Sequence, residues 1–484
     1  MKKSNLVPFI IVGFLLFIQS VNAEVKLPAI VSSDMVLQRN TTVVLWGWAD
    51  AKEEISIETS WLDEVLHIKA DKEGNWKIEV KTTNTKEPQT IKIKSKESNI
   101  LLKNILFGEV WLCSGQSNMQ QSLKGYNGQP TFGSVLATAN SNNPSLRLFT
   151  VDRMGSKTPL KDVDKYSGWQ QASPDNVLGF SAVAYFFGEQ LQKILDVPVG
   201  MIHTSWGGSS VQAWISNEMM STYQTVNLDD VDITKGTNHI PTALYNAMIS
   251  PLIPYTIKGA LWYQGESNRG KPQEYKELFP AMVKDWRNRW GIGDFPFYYA
   301  QITPFNYGGN EAFSVKENSA FIREVQLECV EVIPNSGIAI TMDIGEQYCI
   351  HPAKKKEVAD RLLFNALNQT YGYKTIDYSG PVFNSKEKKD NGLILKFNNA
   401  ESGLYAFDGL NGFEIAGEDK VFYPAEAKII RGQQVFVKSE KVTDPVEVRY
   451  AWRNWVKGTL FDTSLLPASS FRTDNWNDAT HFKE

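Results

Sequence analysis

From about residue 105 onward, short apolar runs alternate with stretches of helical period, and this βα alternation constrains the fold more than any other feature of the chain. Residues 105–113, 199–203, 257–263, 297–302 and 337–341 have the length and the β-branched or aromatic content of strands buried on both faces. Between the first two, Phe180, Val183, Ala184, Phe187, Leu191 and Ile194 recur at helical spacing, and the helix they predict stops before Pro198. A second helix is predicted from about 353 to 369, directly after His351. Strands joined by helices form a parallel sheet covered on both faces, and such sheets bind ligands beyond the carboxyl ends of their strands. The loops that follow these strands are therefore where chemistry is to be sought.

Shorter periods flank this core. Residues 42–48, 54–59, 76–80 and 90–95 alternate or run β-branched between turn residues, which predicts an N-terminal β module over 24–104. Short strands return at 393–397, 434–437 and 445–450, so a C-terminal β module is predicted over 378–484, leaving 105–377 as the α/β core. Residues 1–23 read as an export signal: Lys2 and Lys3, an apolar stretch over 6–18, and Val21-Asn22-Ala23 as a small-residue cleavage site. No later apolar run approaches the roughly 18 residues needed to cross a bilayer. The mature chain is thus expected to begin at Glu24, secreted or periplasmic and free of the membrane once the signal is cut.

Charge and cysteine usage narrow the function. Fifty Lys and Arg against 54 Asp and Glu leave a net charge of −4, which offers nothing to a nucleic-acid backbone. Cys113, Cys329 and Cys349 lack the spacing of a metal site, and their odd number permits at most one internal disulfide, with the pairing left open. No metal or organic cofactor is implied. Fourteen tryptophans offer flat faces that suit sugar rings, although indoles also pack in cores.

Four strand-end segments carry the chemistry. Gly115-Gln116-Ser117-Asn118-Met119 places a serine on a tight turn, where a hydroxyl can act as nucleophile and the following N–H groups can face an oxyanion. Met119 stands where the α/β-hydrolase elbow has its second glycine, so that motif is excluded. Trp206-Gly207-Gly208-Ser209 lets a backbone N–H approach a ligand closely. Trp262-Tyr263-Gln264-Gly265-Glu266-Ser267-Asn268 closes the next strand with amide donors. His351-Pro352 opens a helix, where a general base can reach a serine, while the competing His203 sits inside an apolar run.

In this order the four segments resemble the sialate O-acetylesterase family of the SGNH hydrolase superfamily. Asp34 to Arg39, Trp46-Gly47-Trp48 and Phe471 to Trp476 extend the likeness over nearly the whole mature chain. The resemblance implies an SGNH-type parallel-sheet core, Ser117 as nucleophile and His351 as base. It implies an oxyanion hole from the Ser117 N–H and one of Gly207 and Gly208, with Gln264 or Asn268 as third donor and Gln264 preferred. Glu266 would order the loop. Where the family commonly has Asp two residues before the histidine, this chain has Cys349, so Asp343 is the tentative acid and Glu346 the alternative. The expected substrate is an acetylated sialic acid or related acetylated glycan, with Arg269 a possible contact for a sialate carboxylate. Acetylxylan or pectin are rival substrates. A carbohydrate-binding protein with a decayed site, or a lipase or thioesterase on the same core, are rival functions.

Overall fold

The computed structural model describes residues 24–223, 228, 232–233, 237–308 and 318–481. The expected export signal over 1–23 lies outside the described residues. Among them, no helix is long and apolar enough to cross a membrane.

Six parallel strands form the core: β1 (Asn99–Gly115), β2 (Asn143–Val151), β3 (Val199–Ser205), β4 (Gly259–Tyr263), β5 (Phe297–Ala300) and β6 (Ser336–Ala339). They lie in the order β6-β5-β4-β1-β3-β2. The middle of the sheet is therefore β1, whose carboxyl end carries the Gly115-Gln116-Ser117 turn. Four longer helices cover it: α1 (Ala182–Leu195), α2 (Pro272–Trp290), α3 (Ala320–Val332) and α4 (Lys355–Asn365).

The strands are mostly apolar where both faces are buried, and successive side chains there divide between two cores. Trp111, Cys113, Leu261, Tyr263, Tyr298 and Ala300 pack with α1 and α4. Val110, Leu112, Ala260, Trp262, Phe297 and Tyr299 pack on the opposite face with Tyr275, Phe279, Met282 and Trp286 of α2 and Val325 of α3. Helix α1 is fixed at its start by Ser181, whose Oγ accepts from the Ala184 N–H at 3.2 Å. It ends at Asp196 in the left-handed conformation, just before Pro198.

Strand β1 does not stop at the edge of the α/β core. Its first half pairs antiparallel with Gln89–Lys94, which pairs with Glu54–Thr59, so one continuous strand runs through the N-terminal β sheet and the parallel sheet. On the C-terminal side, Val382–Lys389, Gly392–Asn398, Gln434–Lys438 and Glu426–Arg431 form a four-stranded antiparallel sheet. A second sheet is built around Phe413–Ala416 and Glu447–Tyr450. The fully buried Arg323 of α3 joins this region to the core, donating to the carbonyls of Ala451 and Arg453 and to Ser470 Oγ. Gln301, just past β5, donates to Ser469 Oγ at 2.8 Å. The C-terminal sheets thus brace the sheet end that bears the site.

Candidate active site

Three neighbouring strand ends converge on Ser117. In register, Gly115 of β1 lies between Ser205 of β3 and Tyr263 of β4. Gly115 has φ +136°, and a side chain there would strike the Tyr263 carbonyl at 2.2 Å, so only glycine lets β1 turn this sharply. A one-turn helix, Ser117–Gln120, follows and presents Ser117 at its first position. Next door, a side chain added at Gly207 would lie 3.3 Å from Ser117 Cβ, which sets the backbone after β3 against the serine.

His351, 234 residues further on, completes the pair: its Nε2 is 2.7 Å from Ser117 Oγ. With Nε2 accepting from the hydroxyl, the ring proton resides on Nδ1, which is 2.7 Å from Gln129 Oε1. Tyr126 meets the ring edge-on at 5.1 Å between centroids and donates to the Ser117 carbonyl at 3.0 Å. The Gln129 backbone is held by reciprocal hydrogen bonds with Tyr126, and Gly125, at φ +78°, clears the Gln129 carbonyl where a side chain could not. The His351 loop is tied down as well: Glu346 Oε1 accepts from the Ala353 N–H, and the Cys349 thiol donates to the His351 carbonyl.

The position expected for a triad acid is therefore occupied by an amide. Asp343 does not reach the imidazole. Its carboxylate is held in a two-pronged pair with Arg361 of α4, at 2.7 Å to each guanidinium nitrogen, because a charged partner on the adjoining helix outcompetes a neutral ring eight residues away. Glu346 is engaged at the Ala353 amide, so neither carboxylate orients His351. Burial, aided by the nearby Lys355 charge, pushes the imidazole down to about 4.

Beneath the serine lies a buried polar network. Asn118 Nδ2 donates to Glu266 Oε1 at 2.7 Å and to the Ile350 carbonyl at 3.1 Å, and Asn118 Oδ1 accepts from Lys355 Nζ at 2.5 Å. Asn118 follows the serine and Ile350 precedes the histidine, so this one side chain joins the two loops. Burial raises the Glu266 carboxyl and lowers the Lys355 ammonium to about 7; Asn118 and Lys355 work against the first shift, and Glu266 chiefly against the second.

The remaining candidates divide. Gln264 is fully buried and commits its amide protons to the Ser209 carbonyl and Asn268 Oδ1, so the preferred side-chain oxyanion donor is instead a strut behind the site. Asn268 Oδ1 also accepts from the Val211 N–H, and its Nδ2 donates to Gln212 Oε1. The Gly207 N–H donates to Gln120 Oε1 at 2.8 Å, while Gly208, at φ +72°, receives Ser267 Oγ on its carbonyl. His203 Nε2 is 2.5 Å from Ser205 Oγ, and full burial lowers it to about 4. Arg269 lies over the Tyr307 ring at 4.4 Å. All three cysteines are unpaired. Among the described residues, no three His, Cys, Asp or Glu side chains converge in a way that could hold a metal ion.

Sequence reasoning missed Gln129 and Lys355. The first sits in a Gly- and Pro-containing turn with no signal of chemistry, 222 residues from its histidine. The second could be suspected only from its position one helix turn past His351.

Comparison with known proteins bears on this geometry. Residues 107–357 match the family described as carbohydrate esterase, sialic acid-specific acetylesterase. The sialate O-acetylesterase of Mus musculus is 26% identical over 511 aligned residues, covering 90% of this chain and 92% of that protein. The Homo sapiens sialate O-acetylesterase is 27% identical over 479, covering 88% and 87%. A crystal structure of a carbohydrate acetylesterase from Xanthomonas citri superposes with a TM-score of 0.85 at 33% identity, covering 93% of this chain and all of that one.

Proposed function

Since the chain belongs to the sialic acid-specific acetylesterase family of carbohydrate esterases, we propose that it removes O-acetyl groups from sialic acids or related acetylated glycans through a Ser117-His351 acyl-enzyme mechanism. The observation that carries the mechanism is the 2.7 Å hydrogen bond from Ser117 Oγ to His351 Nε2 at the carboxyl end of the central strand.

His351 Nε2 takes the hydroxyl proton as Ser117 Oγ bonds to the acetyl carbonyl carbon. The tetrahedral intermediate then collapses, breaking the bond to the sugar oxygen, which takes the proton back from Nε2. A water molecule attacks the acetyl-enzyme with the same proton transfers, releasing acetate and restoring Ser117. Burial supports the imidazole as a base, because a ring lowered to about 4 is neutral at physiological pH. Gln129 Oε1 fixes its tautomer, and the imidazolium formed in each transition state donates to that oxygen. The oxyanion is assigned to the Ser117 N–H and the Gly207-Gly208 backbone, where substrate must draw the Gly207 N–H away from Gln120.

Export is part of the same proposal, supported by the basic, apolar and small-residue pattern of residues 1–23, and places the enzyme outside the cytoplasm with its glycan substrate. Acetate release from a panel of acetylated sialic acids, xylan and pectin tests the activity. Release from sialic acids above the others supports the proposed substrate; release from xylan or pectin alone moves the substrate and keeps the mechanism. Glycan binding with no release from any of them refutes the catalytic reading.

A further inference from the structure

We propose that Arg153, backed by Trp206, is the specificity-determining residue that receives the carboxylate of an acidic sugar beside the esterase site. This rests on the esterase reading above and names the chemical class of its substrate.

Topology puts Arg153 at the site although the sequence does not. Val151 ends β2 opposite Thr204 of β3, and the next residue of β3, Ser205, lies opposite Gly115. The residues just past β2, β3 and β1 therefore share one edge: Arg153, then Trp206 and Gly207, then Ser117. Trp206 is fixed there by the bond from its N–H to the Gly115 carbonyl at 3.1 Å, and its half-buried ring leans on the core. The Arg153 guanidinium carbon lies 6.0 Å from the Trp206 ring centroid, within cation–π reach. Arg153 also acts on Tyr126, the residue edge-on to His351: its charge opposes the burial that pushes the Tyr126 phenol up to about 12.

Among the described residues, no ion pair takes up its charge. Arg147, Arg323, Arg361 and Arg449 are buried and donate to carboxylates, hydroxyls or carbonyls of the fold. Arg153 is exposed, and among the described residues no carboxylate lies within ion-pair distance of it. A guanidinium resting on an indole leaves its edge free to grip a carboxylate with two parallel hydrogen bonds. The indole gives a sugar ring an apolar surface in the same place. Arg269, the sequence candidate for this task, has its guanidinium over the Tyr307 ring at 4.4 Å.

The test compares acetate release from an O-acetylated sugar acid and from its carboxyl methyl ester. One pair is built on sialic acid and one on galacturonic acid, and neutral acetylated xylan serves as reference. The wild-type enzyme is expected to prefer an acid over its methyl ester by about ten-fold or more in kcat/KM, carried mainly by KM, as hydrogen bonds to a charged group imply. The pair showing the larger preference identifies a sialate or a uronate. Arg153→Gln should remove that preference, Arg153→Lys should keep part of it, and added salt should weaken it. A preference that persists in Arg153→Gln overturns the inference. So does acetate release by the wild-type enzyme with no preference, which leaves the esterase reading standing. No release from any substrate, xylan included, overturns both.

Discussion

Replacing Gln129 separates an amide-oriented base from a carboxylate-oriented one. Among the described residues, the side-chain partner of His351 Nδ1 is Gln129 Oε1, at 2.7 Å. In the proposed mechanism the ring accepts the serine proton, and that contact becomes a hydrogen bond from a cation to a neutral oxygen, worth about 1.5–3 kcal/mol. Losing it only in the transition state lowers kcat by about ten- to 150-fold with little change in KM. Gln129→Ala is expected in that range, well short of the roughly ten-thousand-fold cost of removing a triad aspartate in a protease.

Gln129→Glu tests the charge. The proposed base works neutral, so kcat/KM is expected to rise with pH through the imidazole pKa of the free enzyme, which burial holds at about 4. A carboxylate at the same place favours the protonated ring and moves that limb upward by about 1–3 pH units. Activity should therefore fall by about half or more at pH 5 and be kept or improved at pH 8. The assay is steady-state acetate release from pH 4 to 9. Wild-type kcat and an unchanged limb in Gln129→Ala, or an unmoved limb in Gln129→Glu, would refute the assignment.

Other consequences are separable. Asp343→Asn should cost about 3 kcal/mol of stability by leaving Arg361 buried without its charge partner, while kcat per folded molecule stays near wild type; a thermal melt beside an active-site titration reads both. Cys349→Ser should be silent in kcat and melting temperature, since a hydroxyl can make the same donation to the His351 carbonyl. His203 is lowered to about 4 in the folded protein against about 6.5 unfolded, so the unfolded chain binds the extra proton between these values, and stability falls as pH drops through that window. His351, lowered as far, contributes in the same window, so His203→Gln should lessen this fall in a pH series of melts without abolishing it; an equally steep series would place the acid sensitivity elsewhere.

What was legible in the sequence followed from local chemistry. Both-face burial makes β4, β5 and the first half of β3 continuous apolar runs, and the 3.6-residue spacing of Phe180 to Ile194 marks α1 directly. Strand β2 escaped notice because Pro144 and Arg147 interrupt it; buried Arg147 is held by the Pro144 carbonyl and by Asp34, a partner 113 residues away. Pro280 lies inside α2 and reads as a breaker, yet packing of Tyr275, Phe279 and Trp286 against the sheet carries the helix through it. In the site, Ser117 and His351 were legible from strand-end position and from the family pattern. Gln129 was not, because what matters is a contact between distant loops rather than a residue type, and Asp343 misled because the sequence does not show that Arg361 holds it. Gln264 misled for a related reason: an amide at a strand end reads as a donor, and only the fold reveals that its protons are taken.

The most direct measurement is to trap the acyl-enzyme. Brief exposure to an activated acetyl ester, acid quench and peptide mass analysis should find one acetyl group on the peptide bearing Ser117, none in Ser117→Ala, and markedly slower formation in His351→Ala. A fluorophosphonate should label the same residue. Modification of Ser114 or Ser209 instead, or undiminished turnover by Ser117→Ala, would contradict the account.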